Sequence, residues 1–253
     1  MRSFTFIFLA LCLIPLAAAQ TDHDNIDAGR PLRFDDAEPI ATGGLAFEFG
    51  LGASFMRRTT VFDAPFELIW GGMPDTQFEI GLATRFGSRS DRFLQALDLA
   101  VLHSFRREVR NAPALAMKLE ASLPPERGGA TAYRIRGIAS KAAKQYDRLH
   151  LNVDVDLVPG APSGERRARL GAVLGYTKPI GYFTSFDTTM LAELAVYQGV
   201  RNGDGGLGSL GIGVRRQVSP RSVVDIGLQS DFSIGRGGTS VPIRLIGGYS
   251  TSF

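Results

Sequence analysis

The sequence predicts an all-β protein, an up-and-down antiparallel transmembrane β-barrel of about 12 strands. Apolar and polar residues alternate with a period of two along most of the chain, and no helical stripe of period 3.6 competes with this pattern. The polar positions hold acids and arginines among small residues. A mean hydropathy of +0.03 excludes a multi-helix membrane protein, and a single cysteine excludes a disulfide scaffold.

Residues 1–19 have the pattern of an export signal. Arg2 gives a positive start, an apolar stretch runs from Phe4 to Leu16, and three alanines precede Gln20 as a small-residue cleavage site. A membrane anchor is the alternative, but the apolar run is shorter than the ~20 residues that a spanning helix needs. We therefore expect an exported mature chain, from which Cys12 has been removed together with the signal peptide.

Residues 20–44 precede the first strand and contain three Asp-containing clusters and two prolines. They show no period-two alternation. We expect a periplasmic segment, or a partial plug that folds into the barrel formed by residues 45–253.

Twelve segments of residues 45–253 alternate as strands do. The clearest is 149–157, where four polar residues, from His150 to Asp156, interleave with Leu and Val. Clusters of Gly, Pro, Ser and Asp separate the segments. A spacing of about 17 residues per strand fits a ~10-residue strand and a short connection. The segments are 45–55, 62–70, 78–86, 97–101, 115–123, 133–136, 149–157, 168–176, 190–197, 210–215, 224–232 and 243–253.

A soluble sandwich also has strands in which apolar and polar residues alternate. The residue types at the polar positions distinguish a barrel from such a sandwich. In a sandwich the polar face meets water and lysine is common there. Here the polar parity holds acids and arginines with only one lysine, as expected of a lumen in which charges pair. A charge on the lipid-facing parity would cost ~2–4 kcal/mol at the midplane, and the exceptions on that parity, His103 and Arg216, lie beside turns.

The last strand ends as bacterial outer-membrane barrels do. Leu245, Tyr249 and Phe253 lie on one parity, although Thr251 and Gly247 depart from the pattern. We therefore expect the outer membrane of a Gram-negative bacterium as the location. The expected partners are outer-membrane lipid, a small-molecule solute and the barrel-assembly machinery, which would recognise the Phe253 strand. Basic residues form no block, which argues against a nucleic-acid partner.

Several motifs over about residues 30–86 resemble those of a known family. They are Arg33-Phe34-Asp35-Asp36-Ala37-Glu38-Pro39, Gly43-Gly44, Phe47-Glu48-Phe49-Gly50, Ala64-Pro65-Phe66-Glu67-Leu68, Gly71-Gly72 and Phe78-Glu79-Ile80-Gly81-Leu82. The pattern is similar to that of the outer-membrane transporters grouped as the MetA-pathway of phenol degradation family. The resemblance implies a barrel that helps small, often aromatic, compounds cross the outer membrane. It implies no catalytic or metal-binding residues.

Other motifs favour structural interpretations. Residues 206–211 match G-x-G-x-x-G, but no parallel strand precedes them and no helix follows, so these are strand glycines. The 201–205 loop lacks the acidic ligands of a calcium site. His103 and His150 leave a rim lipid hydrolase open as a less favoured alternative, yet neither forms a nucleophile motif with Ser. We expect no enzyme activity, cofactor or metal.

The charged residues of the polar parity are the candidate functional set, because they would line or brace the lumen. Twelve strands lie between eight, where side chains fill a barrel, and sixteen to eighteen, where water does. Passive passage of small aromatic or weakly polar solutes is therefore the leading hypothesis, and a closed structural barrel the alternative. The predicted lumen-lining residues are Glu48, Glu67, Glu79, Arg85, Asp98, Glu120, Arg134, Arg136, His150, Asp154, Arg169, Glu193, Arg215, Asp225 and Arg244.

Overall fold

The structure, a computed structural model, describes residues 30–56, 59–87, 93–126, 129–144, 146–182, 185–235 and 243–253. The predicted export signal and residues 20–29 lie outside these ranges. The described residues contain no helix long and apolar enough to cross a membrane. The strands are β1 Leu45–Met56, β2 Thr59–Asp63, β3 Phe66–Met73, β4 Thr76–Gly87, β5 Leu94–Arg106, β6 Ala114–Leu123, β7 Ala132–Ala142, β8 Arg148–Leu157, β9 Ala168–Tyr182, β10 Ser185–Gln198, β11 Gly206–Ser219, β12 Ser222–Ile234 and β13 Ile243–Ser252.

The strands close into one antiparallel barrel. When β2 and β3 are counted as one wall strand, each strand pairs with its neighbour in the chain, and β13 returns to pair with β1, from Ala46 opposite Ser252 to Phe55 opposite Ile243. Closure pairs the outer edges of β1 and β13 with each other, as a membrane interior requires. The wall has twelve strands, because β2 and β3 together form one. The predicted up-and-down barrel is confirmed.

Pro65 divides the second wall strand into β2 and β3. Gly52 lies opposite Asp63 and Phe49 opposite Phe66, three residues further along each strand, so the register with β1 is unbroken. Pro65 has no N–H to donate, but its carbonyl oxygen still accepts from the amide of Gly50 at 2.9 Å. The sequence predicts a single strand over residues 62–70. Because the register with β1 is continuous, the interruption at Pro65 affects only the hydrogen bonding at that point.

The two parities of each strand face different surroundings. On β8, Leu149, Leu151 and Val153 are exposed, whereas His150 and Asp154 between them are buried. The same alternation on β12 and β4 gives the barrel an apolar exterior and a polar interior. An apolar surface that surrounds the whole wall belongs in lipid, because a water-exposed apolar patch of a soluble protein rarely exceeds a few hundred Å².

The two ends of the barrel differ in their connections. Both termini of the barrel lie at one end, where the amide of Phe253 donates to the carbonyl of Leu45 at 2.8 Å. We call this the terminal end, and its connections include the short turns 74–75 and 220–221. The opposite end, the loop end, carries the connections 124–131, 158–167 and 199–205, while the longest connection at the terminal end among the described residues is 107–113. In outer-membrane barrels short turns are periplasmic and long loops extracellular.

Candidate functional site

The lumen is the candidate site, because strand parity directs the predicted charged residues into it. The structure places eight of them in buried positions and six in partly exposed ones, while Arg85 is exposed near the loop end. The buried ones are Glu48, Glu79, Arg136, His150, Asp154, Glu193, Arg215 and Asp225. The partly exposed ones are Glu67, Asp98, Glu120, Arg134, Arg169 and Arg244. Their role in lining a solute pathway remains a prediction.

Acidic side chains predominate on the wall from β1 to β6. Glu48 lies directly opposite Glu67, and Glu79 follows on β4. Lys118 of β6 lies among them, with its Nζ 2.6 Å from a carboxylate oxygen of Glu79. Asp98 accepts a hydrogen bond from the hydroxyl of Ser122 at 2.6 Å. Like charges placed opposite each other are costly, so the central ammonium group stabilises this half of the lumen.

Charges of both signs alternate from β7 to β13. Arg134 lies opposite Asp156, and Asp156 lies opposite Arg169 on the next strand. The Nε of Arg134 donates to one carboxylate oxygen of Asp156 at 2.8 Å, and Arg169 donates to the other at 3.3 Å. One carboxylate therefore serves two guanidinium groups. Across the junction of β13 with β1, Arg244 of β13 and Arg85 of β4 share the carboxylate of Asp63 on β2 in the same way, with distances of 3.1 and 2.7 Å.

Arg136 has a different arrangement, a two-point contact with Asp154. Its Nε and Nη2 donate to the two oxygens of that carboxylate at 2.7 and 2.8 Å. Its Nη1 donates to the carbonyl oxygen of Arg33 at 2.8 Å and also to Asp35. Asp154 is fully buried, so this parallel pair fixes both side chains and ties the wall to the N-terminal segment.

Residues 30–40, which we call the inner segment, lie inside the barrel. Phe34 is fully buried and stacks on His150 with 4.9 Å between ring centroids. The amide of Asp35 donates to Asn152 at 2.6 Å, and the Asn152 side chain donates back to the carbonyl of Asp35 at 3.0 Å. The amide of Ile40 donates to Gln77 at 2.8 Å. Backbone groups of the inner segment therefore find partners on both halves of the wall.

The remaining predicted residues contact the inner segment near its start. Arg215 lies opposite Asp225 and donates to the carbonyl oxygen of Arg30 at 2.7 Å. Glu193 accepts from the amide of Arg33 at 2.5 Å. His150 is within hydrogen-bond distance of Ser140, at 3.0 Å, and 3.9 Å from the carboxylate of Asp36. These contacts bring predicted lumen residues from three separate regions of the wall onto one short segment.

Sequence reasoning missed several residues that complete these contacts. Asp63, Asn152 and Asp231 lie on the inward parity and could have been included by that signal. Arg33, whose guanidinium lies 2.8 Å from Asp231, and Asp35 belong to the inner segment, which has no periodicity to reveal which way its side chains point. Among the described residues, no group of three or more His, Cys, Asp or Glu side chains could hold a metal ion.

Three cavities in the lumen border the inner segment. One of about 500 Å³ lies towards the loop end, and its lining includes Arg33, Arg134, Arg169 and Arg244. A second of about 190 Å³ borders Glu67, Glu79, Asp98 and Lys118. A third of about 120 Å³ lies along the segment itself. The lumen thus contains space with opposite charge character on its two sides.

No family model and no curated protein matches the sequence. Solved structures do match the fold. The COG4313 outer membrane channel from Pseudomonas putida F1 has a TM-score of 0.66 at 12% identity, covering 88% of this chain and 100% of that chain. The NanC porin has a TM-score of 0.57 at 10% identity, covering 82% and 98%. The KdgM porin has a TM-score of 0.52 at 9% identity, covering 82% and 99%. The chain therefore has a fold that outer-membrane channels and porins share.

Proposed function

We propose that this protein is a non-enzymatic channel of the bacterial outer membrane through which small organic solutes diffuse passively. One observation carries the proposal: a closed wall with an apolar exterior surrounds a polar lumen that holds cavities of about 500 and 190 Å³. A barrel with this distribution of polarity is stable only in a bilayer, where its lumen is the one polar route across. The fold shared with a Pseudomonas putida channel supports the proposal.

The solute class in this proposal is small aromatic or weakly polar compounds, which the resemblance of residues 30–86 to the MetA-pathway family suggests. The inner segment acts in it as a partial plug. Its contacts with Asn152, Gln77 and Glu193 hold it across the lumen, so that a solute passes beside it through the bordering cavities. Narrow passage of this kind favours small solutes over oligosaccharides.

A closed structural barrel is the second candidate, and the packing of the inner segment favours it. Phe34 is fully buried, and both Asp35 and Ala37 use their amides in hydrogen bonds to wall side chains. A segment anchored in this way could fill the lumen permanently. The two candidates differ in a measurable property, since only a channel conducts.

Reconstitution tests the proposed function. Proteoliposomes containing the purified protein are compared with protein-free liposomes for uptake of benzyl alcohol, phenol, glucose and sucrose, and single-channel current is recorded in planar bilayers. We expect conductance, and uptake that is several times faster for the small aromatics than for sucrose. Heat-modifiable migration on a gel verifies that the protein is folded. No current, together with uptake equal to that of empty liposomes for all four solutes, would establish the closed barrel instead.

A further inference from the structure

The cavity near the loop end, which we call the arginine cavity, has an unusual lining. Five arginines border it: Arg33, Arg134, Arg136, Arg169 and Arg244. The acidic side chains that line it among the described residues are Asp156 and Asp204. Its volume of about 500 Å³ lies within the range of small-molecule sites in proteins. Basic side chains therefore outnumber acidic ones in the lining itself, in contrast to the smaller cavity beside Glu67 and Glu79. The carboxylates of Asp63, Asp154 and Asp231, which pair with Arg244, Arg136 and Arg33, lie outside the lining.

In the arginine cavity, two arginines share one carboxylate, so that one of the two positive charges is not neutralised by it. Asp156 accepts from both Arg134 and Arg169, so that these three groups together carry one net positive charge. The side chains of the two arginines remain 35% and 29% exposed, and both line the cavity. Donor groups that the carboxylate does not use can therefore reach a solute there.

Arg244 adds a second donor at the same cavity. Its Nη2 lies 3.1 Å from Asp63, which also accepts from Arg85 at 2.7 Å. The Nε of Arg244 is buried, and no described residue accepts a hydrogen bond from it. The Arg244 guanidinium has five N–H donors, and its hydrogen bond to Asp63 uses one of them, so that other donors of the group are left for a solute. The lining thus presents both net charge and unused hydrogen-bonding capacity.

Apolar groups complete the lining. Tyr197 and Leu207 border the arginine cavity, and the Tyr197 ring packs where Gly171 leaves no side chain. Guanidinium planes also stack on aromatic rings while they hydrogen-bond carboxylates with two parallel N–H groups. This combination matches a solute with a carboxylate at one end and a small apolar or aromatic body.

We propose that the arginine cavity binds a small organic anion, a carboxylate on an aromatic or apolar body, through Arg134, Arg169 and Arg244. This site rests on the proposed channel function and adds small organic anions to the solutes of that channel. Arg136 is not part of the binding group, because Asp154 and Asp35 already occupy its donors. It positions the cavity wall.

Equilibrium binding in detergent solution tests the site separately from transport. Benzoate is titrated into the folded protein by isothermal calorimetry, with benzyl alcohol as the neutral analogue of the same shape. We expect saturable binding of benzoate and no measurable binding of benzyl alcohol. Binding is preferred to ion selectivity as the readout, because current through the whole lumen would also sense the acidic side chains of β1 to β6.

Single substitutions assign the binding to named residues. We expect Arg169→Gln and Arg244→Gln each to weaken benzoate binding roughly tenfold or more, since each removes a charge-assisted hydrogen bond. Arg167→Gln, at an exposed position outside the arginine cavity, is the matched control and should leave affinity unchanged. Asp156→Asn should tighten binding, because it removes the carboxylate that competes with the solute. Every variant is first checked for heat-modifiable migration.

The outcomes separate the two proposals. Benzoate binding with the expected order of variants, but without solute uptake in liposomes, would refute the channel and retain the site. Equal affinity for benzoate and benzyl alcohol, or equal losses in the Arg167 and Arg169 variants, would overturn the anion site even if uptake is observed. Absence of benzoate binding in a folded, conducting protein would overturn it as well.

Discussion

Asp35 joins the inner segment to both halves of the lumen wall. Its carboxylate lies 3.6 Å from the Nζ of Lys118 on β6 and also contacts Arg136 on β7. Burial alone would raise the pKa of Asp35, but the positive charges of Lys118 and Arg136 outweigh it and lower the pKa to about 2. The charge on this one side chain therefore favours the docked state of the inner segment.

Acid should release the inner segment at an unusually low pH. Because the pKa of Asp35 falls on docking, its contribution is complete above the ordinary value of 3.8 and is lost as pH falls towards about 2. Hydrogen exchange of the amides of Asp35, Ala37 and Ile40, which donate to wall side chains, should show full protection at pH 5 and loss near pH 2 after correction for intrinsic rates. Asp35→Asn should weaken docking at neutral pH by about 2 kcal/mol, roughly thirtyfold.

Asp75→Asn provides the control for this experiment. Asp75 also pairs with an arginine, Arg107, but the pair lies in an exposed turn at the terminal end. Its substitution should leave protection of the inner segment unchanged at every pH. Loss of protection between pH 5 and pH 4 in the unmodified protein would show that Asp35 does not hold the segment.

At the scale of single strands, glycine and aromatic residues form complementary pairs across the ladder. Gly171 of β9 lies opposite Tyr197 of β10, and the Tyr197 ring occupies the space that a Cβ on Gly171 would need. Gly208 and Phe232 form a similar pair on β11 and β12. In each case the missing side chain lets an aromatic ring lie against the wall, which fixes the ring in place.

Gly171→Ala should therefore destabilise the barrel, by about 1–3 kcal/mol, the usual cost of overpacking. It should also displace Tyr197 from the arginine cavity. Gly137→Ala is the matched control, because a Cβ on Gly137 meets nothing within 4 Å. The urea concentration at which half of the folded band is lost on gels measures the stability of the two variants. Equal midpoints for the two variants would contradict the role of the ring in wall packing.

Period-two alternation was sufficient to predict the strands and their two faces, because a strand has only two side-chain directions. That signal places His150, Asp154 and Arg169 on the inward-facing side of their strands, and the structure buries or half-buries all three. The sharing of Asp156 by two arginines could not be predicted, since it depends on the register of three strands. The position of Phe34 could not be predicted either, because tertiary contacts alone determine it.

At the scale of the whole molecule, the pairing of β13 with β1 closes the wall. Ten residues of β1, from Ala46 to Phe55, pair with β13, which also pairs with β12. Without this seam, two rows of backbone hydrogen-bonding groups would face lipid, where each unsatisfied group costs several kcal/mol. The barrel is consequently a single cooperative unit, whereas the inner segment contributes no strand to it.

Deletion of residues 243–253 should therefore abolish the folded, heat-modifiable form. Replacement of residues 31–40 by a Gly-Ser chain of equal length should preserve it, because every wall strand keeps both neighbours. Gel migration with and without boiling, after refolding in detergent, compares the two variants. A folded band for the deletion variant would contradict closure by β1 and β13, whereas the absence of a folded band for the Gly-Ser variant would show that the wall depends on the inner segment.

The unequal distribution of charge around the wall has a consequence for any solute with separated charges. Acidic side chains outnumber basic ones from β1 to β6, whereas on β7 to β13 both signs occur and arginine is frequent. The resulting electric field points across the barrel, perpendicular to the direction of travel. A zwitterion would turn its cationic end towards β1 to β6 and lose rotational freedom as it enters. Isomers of equal size but different dipole moment would then cross at different rates.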